Sequence, residues 1–555
     1  MFRKSLKTIL SVFIVSFLLC AVCFAQSGND ILKIGLLYGT DALPAVNLQN
    51  VTGYGSGYSI GYFDSNRQFV SLYNISETKI TMVKDKLIYL NGTSYYDTLP
   101  ASYTDVIKPY HIELSASYSS ASEAESVKNR ISGQGIEAFV AYSGGSYKVR
   151  CGAYGTESEA SSDLSRIAGV AGTTGKVVGY SSTCYTVTVT GSSEILFEFD
   201  NGQPMGIMPK SAGGETRTWF KGYQYLGGFE YNRVNGNDIT VIGVLSMDDY
   251  IKGVVPYEMS ASWNIEALKA QALCAKSYAV NSMGKHGSSG FDLCNSTHCQ
   301  VYKGMNSATA NSNAAVEAVS GQYILYNGKV AEGYYHASSG GHTEDVENIW
   351  GTYVPYLRGV DDPYLKYAAA ADENWTYSIT LDEIESILKS KGYSVTELTD
   401  FYVSKYSQYG NAIEITYVDK YKGKSVIKGE TVRTVLNTGS KTIVKSHRFT
   451  ISQQGGLYVG NREVSSSTGT LYTIGAGGKQ VLSGNISDKK AITANGVENI
   501  SVSSGNSSEF IIKGSGAGHN IGMSQRGAKG MADNGFTYDA IIKHFFTGVT
   551  IGNVD

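Results

Sequence analysis

The chain has no strong excess of charge of either sign. Its 46 lysines and arginines stand against 49 acids, a formal net charge of −3 over 555 residues. That balance excludes a broadly basic nucleic-acid surface and gives no overall electrostatic pull toward anionic partners. Cysteine is also sparse. Two of the seven lie in the first 25 residues, leaving Cys151, Cys184, Cys274, Cys294 and Cys299, too few for a disulfide-framed scaffold. Beyond those first residues no apolar run approaches the roughly 20 residues that span a bilayer. The glycine-rich stretches lack the Gly-Lys-Ser/Thr ending of a phosphate loop, which argues against nucleotide binding.

Present at the start is a secretory pattern over residues 1–25. Arg3, Lys4 and Lys7 form a positive region, an apolar run follows from Thr8 to Phe24, and Cys23-Phe24-Ala25 offers a small-residue cleavage site. If it is not removed, this leader is the chain's one route to a membrane. The expected location is therefore extracytoplasmic, at the cell envelope or secreted. The 41 tyrosines and 64 glycines suit a strand-rich protein with a polar surface.

An internal repeat marks a separate module at 107–182. YHIELSASYSSASEAESVKNRISGQGIEAFVAY (110–142) is echoed by YKVRCGAYGTESEASSDLSRIAG (147–169). Each half runs from an alternating strand through a Ser/Gly turn into a helix. Ala124, Val127 and Ile131 share a face in one helix, and Ala160, Leu164 and Ile167 in the other. Two such halves closing into one sheet with helices on one side make a ferredoxin-like plan. Cys151 and Cys184 read as buried thiols or a bridge. Flanking regions at 30–106 and 194–242 alternate as strands. Residues 376–450 read as a helix (382–392) followed by strands, and the Ser/Gly/Asn-rich stretch 464–510 as an exposed insertion. The fold class expected is α+β, multi-domain, with the remaining large domain at 185–555.

Residues 254–280 place one carboxylate, Glu258, in a mostly apolar segment just before an amphipathic helix. Asn264 is the expected N-cap, and Ala267, Leu268, Gln271, Ala272, Ala275 and Tyr278 recur at helical spacing. A carboxyl near apolar walls resists ionisation, as a general acid working near neutral pH requires. The alternative is that Glu258 only caps or salt-bridges the helix. Asp248 and Asp249 read as turn residues, and Glu266 as an acid favourable to the helix dipole. His286, Cys294, His298 and Cys299 cluster outside any periodic segment. Thiolates with imidazoles suit Zn²⁺; the favoured ligands are His286, Cys294 and Cys299, with His298 competing. A Cys294–Cys299 disulfide is the alternative. Cys274 reads as a small buried residue. Trp350 and Trp375 read as core, with sugar stacking as the other possibility.

Five ordered segments closely resemble the stage II sporulation protein D family of peptidoglycan lytic transglycosylases. They are GVLSMDDYIKGVVPYEM (243–259), EALKAQALCAKSYAV (266–280), DLCNSTHCQVYKG (292–304), YYHASSGGHTE (334–344) and GSGAGHNIGMSQRGAKGMADNGFTYDAIIKHFF (514–546). The repeat module resembles a SPOR (sporulation-related repeat) domain, a family that binds glycan strands stripped of stem peptides. The resemblance implies that Glu258 serves as acid and base in cleaving glycan to 1,6-anhydro-muramic ends. It implies a glycan groove lined by Gln300, Tyr302, His336, Ser338, Ser339, His342, Thr343, His519 and Gln525. Lys276 stands where the family often has arginine, keeping the charge toward substrate but losing the bidentate fork. Asn520 replaces a common glycine. The resemblance also implies a structural zinc in some members, and the alternative role of stimulating a partner cell-wall amidase.

Overall fold

The computed structural model describes residues 31–371, 373–453, 457–459, 462–465, 472–475, 478–481, 490–493, 496–502 and 509–554. The leader at 1–25 and parts of the 464–510 stretch lie outside the described residues. Among the described residues no helix is long and apolar enough to cross a membrane. The chain divides into two compact units, one comprising residues 1–250 and 283–306, the other 251–282 and 307–555. Mixed helices and many sheets give the α+β class expected.

The first unit holds a seven-stranded and a ten-stranded sheet. The repeat module supplies four strands of the larger one, in the order Gly175–Val178, Tyr110–Leu114, Ser146–Tyr154, Ala138–Ser143. Its helices, Ala121–Ser132 and Glu157–Ala171, follow the first and third strands in chain order. This βαββαβ path is the ferredoxin-like plan. Ser120 and Glu123 form a complete capping box on the first helix, and the Thr156 side chain caps the second. Ala124, Ile131, Ala160 and Ile167 are buried as their spacing predicts. Val127 and Leu164 are only half-buried. Cys151 and Cys184 are both buried free thiols, not a bridge.

The module does not end at its own edge. Ala138–Ser143 pairs in parallel with Ile195–Asp200, Val140 opposite Phe197, and the sheet continues through Tyr185–Val189, Lys79–Lys84 and Ala45–Asn50. The seam carries a buried charge cluster. Arg150 donates to Glu113 Oε2 (2.9 and 3.0 Å) and to Glu198 Oε2 (2.7 Å), and His111 lies 3.2 Å from Glu198 Oε1. Burial pushes the Glu198 carboxyl up, but His111 and Arg150 outweigh it and bring it down to about 2.

The second unit is built around the helix Ile265–Asn281. Asn264 caps it, its side chain accepting from the Glu266 amide at 3.0 Å. The sequence pattern predicts one apolar face. Instead eleven of its seventeen residues are buried, Ala270, Leu273, Cys274, Lys276, Ser277 and Ala279 as well as five of the six expected positions, Tyr278 being only half-buried. The helices Ala310–Ala318, Gln525–Asp533 and Tyr538–Phe545 and the strand Gln322–Tyr326 surround it. Small side chains allow this enclosure. A Cβ on Gly333 would lie 2.4 Å from the Cys274 carbonyl oxygen, so glycine is required where that chain crosses the helix. Glu266 also holds the start of Tyr538–Phe545, accepting from the Tyr538 amide at 2.8 Å. A separate apolar cluster joins the helix Leu381–Ser390, two residues shorter at its end than expected, to the strands Leu398–Tyr406, Ala412–Asp419, Phe449–Gln453 and Glu509–Ser515.

Replacing Arg150 by Met leaves Glu113 and Glu198 buried without their shared cation. We expect a loss of about 3–5 kcal/mol in unfolding free energy, measured by urea denaturation. A change within about 0.5 kcal/mol would show that the cluster does not hold this seam.

Candidate functional site

Glu258 is the last residue of the four-residue helix Val255–Glu258, which Pro256 helps to start. Val255 and Met259 on either side are buried, while Glu258 itself is half-buried and keeps partial access to solvent. Six residues separate it from the first residue of the buried helix, so its backbone is held against a rigid element. Asp248 and Asp249, expected in a turn between elements, lie instead in the first turn of the short helix Met247–Lys252.

The histidine–cysteine cluster lies in the first unit. The strand Leu293–Cys294 pairs in parallel with Ile31–Leu37, Gly35 opposite Cys294. A Cβ on Gly35 would sit 2.6 Å from the Phe291 ring, so glycine there admits Phe291, which stacks on His286 at 5.0 Å. Asp292 anchors the loop. It takes a fork of bonds from Arg67 (2.6 and 2.9 Å) and accepts from the Lys33 and Gly284 amides. The ligand atoms of His286, Cys294, His298 and Cys299 all lie within 4.8 Å of one another. Cys299 Sγ is 3.4 Å from His286 Nε2 and 3.7 Å from His298 Nδ1; Cys294 Sγ is 3.6 Å from His298 Nδ1. His298 therefore joins the other three instead of competing with them. A turn at Thr297–His298 supplies the kink that two adjacent ligands need. Both cysteines are free. Burial pushes the Cys294 thiol up, but hydrogen bonds from Ser296, His298 and Cys299 outweigh it and bring it to about 5. Two sulfurs and two imidazoles converging on one point fit a four-coordinate Zn²⁺.

Most residues expected to line a groove are instead internal ties. Lys276 is 1% exposed, its ammonium donating to the Val319 carbonyl at 2.9 Å. A side chain spent inside the helix packing cannot reach a polymer, which corrects the expectation of a substrate contact. Gln300 is buried, accepting from Tyr250 Oη at 3.2 Å, and Tyr302 is buried between Tyr225 and Tyr250. Ser338 donates to Glu373 (2.5 Å), Ser339 to Asp362 (2.6 Å), and Thr343 Oγ1 accepts from the Val360 amide (2.8 Å). Gln525 donates to Gln271 at 3.2 Å, tying the C-terminal motif to the central helix. Asn520 holds the left-handed conformation, φ +64°, that a glycine would supply, and its buried amide bonds the Ser339 carbonyl (2.8 Å) and the His447 amide (3.2 Å). Hydroxyls and amides in glycine-rich loops find each other before they find solvent.

Partly exposed imidazoles of these loops remain at His342 and His519, while His336 is 4% exposed and lies beneath them. His342 is half-buried and stacks on Tyr409 at 4.3 Å. The strand Tyr335–His336 pairs in parallel with Met523–Ser524, bringing two distant motifs side by side. His336 and His519 rings lie 5.5 Å apart, and His519 packs against Trp350 at 5.1 Å. Trp350, read as core, is 37% exposed and meets Tyr334 edge-on at 4.7 Å. Trp375 is core, its indole donating to the Gly516 carbonyl at 3.0 Å. His336 donates through Nδ1 to the Ile521 carbonyl at 3.1 Å, and its buried Nε2 finds no hydrogen-bond partner among the described residues. The exposed indole beside two imidazoles forms an aromatic shelf that no sequence pattern announced. Two buried acids also escaped notice: Glu344, with four hydrogen-bond donors, and Asp362, whose carboxyl burial pushes up.

Comparison with known proteins gives two family matches. A model described as stage II sporulation protein matches residues 235–326, and a SPOR domain model matches residues 108–179. The chain is 30% identical over 350 residues to a protein of Brachyspira hyodysenteriae, covering 62% of this chain and 78% of that one. It is 28% identical over 362 residues to a Bacillus subtilis protein named amidase enhancer, covering 63% of this chain but 47% of the relative, about half its length. Identity to stage II sporulation protein D of Bacillus subtilis is 24% over 326 residues, 56% of this chain and 76% of that one.

Burial lowers the His336 imidazole to about 3, with His519 adding to it, and lowers His519 to about 4. The unfolded chain, with histidines near 6.5, therefore binds more protons below that pH. The stability these two groups contribute is complete above pH 6.5 and is lost as pH falls toward 4 and then 3. Replacing His336 by Gln should flatten the fall in melting temperature between pH 6.5 and 4 relative to wild type; parallel curves would contradict this assignment.

Proposed function

Because this chain belongs to the stage II sporulation protein D family and carries a SPOR domain, we propose that it is an extracytoplasmic lytic transglycosylase acting on peptide-free peptidoglycan glycan. The observation that carries the reading is Glu258, half-buried at the end of a short helix with apolar neighbours and fixed beside a rigid buried helix. In its acid form Glu258 gives its proton to the bridging glycosidic oxygen as the bond to the muramic C1 breaks. As carboxylate it then takes the proton of that sugar's C6 hydroxyl, whose oxygen bonds to C1. No water is consumed, and a 1,6-anhydro end forms. Glycoside hydrolases need two carboxyls because water is their nucleophile or resolves their intermediate. Here the nucleophile is part of the substrate and already beside its target, so one carboxyl suffices and proximity supplies much of the rate. The exposed indole of Trp350, with the half-buried His519 packed against it, offers an aromatic face to the sugar chain.

His286, Cys294, His298 and Cys299 would hold a structural Zn²⁺, which would fix the 286–299 loop and supplies no activated water in this scheme. The SPOR module would recruit the enzyme to its polymer; joining two weak sugar sites raises effective concentration without new contacts. A second reading, stimulation of a partner amidase without cleavage, is favoured by the similarity to the relative named amidase enhancer.

Purified protein incubated with stripped glycan should release fragments with anhydro-muramic ends, identified by mass spectrometry. Reducing ends would make it a hydrolase, and intact strands would favour the amidase-stimulating role. Glu258→Gln should lower cleavage by roughly 10²–10⁴-fold while leaving glycan binding unchanged. Metal analysis should find one zinc per chain, lost in the double variant Cys294→Ser, Cys299→Ser together with a drop in melting temperature; a metal-free wild type of unchanged stability would remove zinc from the account.

A further inference from the structure

The ten-stranded sheet of the first unit has a break in its pairing. The strand Ala45–Asn50 lies against Lys79–Lys84 along one edge, Ala45 opposite Val83 and Gln49 opposite Lys79. Its other edge is covered only at the ends. Leu43 exchanges both backbone bonds with Ile239 (2.8 and 3.4 Å), and Gln49 and Asn50 face Trp219 and Thr218. Successive residues of a strand point their N–H and C=O groups to alternate edges. Pro44 and Asn50 bond on the Lys79–Lys84 side, to the Lys84 amide (2.9 Å) and the Thr78 carbonyl (2.8 Å). Ala45 and Asn47 therefore direct theirs to the other edge, and among the described residues those groups have no backbone partner. Two donors and two acceptors of a ladder are left open there, and Ala45 is only 8% exposed to water.

A cleft of about 410 Å³ opens along this bare edge, lined by residues 43–47, Thr93, the strand Ser94–Tyr96, Phe220 and Lys221. Its size falls within the ~300–1,000 Å³ usual for ligand sites. Asn47 ties the second wall in place, its side-chain amide donating to the Thr93 carbonyl at 3.0 Å. Tyr95 steadies it further, its hydroxyl accepting from the Gly191 amide at 2.8 Å. Tyr96 is 41% exposed and keeps an open ring. Among the lining residues Lys221 alone is charged. Asp97, next to Tyr96, is taken up by Lys84 at 2.8 Å and Lys86 at 3.6 Å, and Asp41 and Asp85 lie outside the lining. Lys221 holds φ +50° in the tight turn between Thr218–Phe220 and Tyr223–Tyr225, a left-handed position that glycine or asparagine adopts more easily. The lysine is thus kept beside the cleft against the local preference of the chain.

We propose that this edge takes an extended segment of a partner protein as an added strand, with an apolar or aromatic side chain against Tyr96 and an acidic one at Lys221. Three residues laid opposite Ala45, Val46 and Asn47 close the ladder, at the ~3.4 Å rise per residue of an antiparallel pair. Main-chain bonds supply the affinity, and the two side-chain contacts supply the choice of segment. A peptide backbone offers donors and acceptors in alternation at this spacing, which a glycan strand does not. The edge lies in the first unit and Glu258 in the second, so this docking stands independently of the cleavage chemistry.

The test uses the full-length protein and a positional library of acetylated, fluorescein-labelled pentapeptides of L-residues, each ending in Asp, read by fluorescence polarisation. In the best binder, N-methylation of one alternate set of amides should weaken binding about tenfold and of the other set much less, because an added strand bonds along one edge. Replacing its Asp by Asn should also weaken it about tenfold, with the difference shrinking as salt is raised. On binding, hydrogen exchange should slow at the Ala45 and Asn47 amides. Lys221→Glu should weaken the Asp-ended peptide about tenfold, and Lys221→Gly, which suits the left-handed turn and keeps the fold, by less. Tyr96→Ala should weaken peptides carrying an apolar or aromatic side chain. No binding at about millimolar peptide would overturn the proposal, as would equal effects of the two N-methylated sets or unchanged exchange at Ala45 and Asn47. Self-association of Lys221→Gly without peptide binding would make the lysine a guard of the bare edge, and equal displacement by a muramyl peptide of alternating L and D residues would give the cleft to wall peptide. Either result replaces the proposed partner.

Discussion

The second unit depends on enclosing one helix almost completely. Ile265–Asn281 gives up the solvent face that most helices keep, and the cost falls on its polar residues. Lys276 must find the Val319 carbonyl and Gln271 the Gln525 amide, because an unsatisfied polar group in that position costs about 1–3 kcal/mol. In return, alanines, Cys274 and Ser277 let the surrounding helices and the Gly333 segment approach the backbone closely. Half-buried Glu258, seven residues before the helix begins, then sits beside a rigid mount.

The same economy explains why so many motif residues are inward-facing. The loops at 336–344 and 516–525 are rich in serine, threonine, asparagine and glycine, and they bond one another across roughly 180 residues of sequence. Asn520 with Ser339 and Ser524 with the Ser339 amide join them, while Asp362 and Glu373 brace Ser339 and Ser338 from a third segment. What the scaffold presents outward is narrower: the half-buried imidazoles at 342 and 519 and the indole of Trp350. Residues that hold a site in shape outnumber those that can touch a ligand, and in a list of motif letters the two kinds look alike.

In the first unit the SPOR module is continuous with its host. Its Ala138–Ser143 strand is hydrogen-bonded to Ile195–Asp200, and Arg150 joins acids from both sides of that seam. A module that shares a sheet with its neighbour has a fixed orientation toward it, unlike one on a flexible linker whose effective concentration falls with linker length.

Local features were legible in the sequence because neighbours along the chain create them. The Asn264 cap, the two capped helices of the repeat, and a histidine–cysteine set confined to fourteen residues all depend on spacing that can be counted. Exposure was not legible. Lys276, Gln300 and Tyr302 carry chemistry suited to a polymer, yet they are buried by segments tens to hundreds of residues away. Trp350 reads as core and lies open because Gly351 ends its short helix at the surface. His298, set aside on adjacency, joined the cluster through a turn whose geometry spacing alone does not define. Sequence by itself determined the family, the module and the residue types available for the chemistry. Tertiary structure alone decided which of them face solvent, because burial is fixed by the packing of chain segments far apart in the sequence.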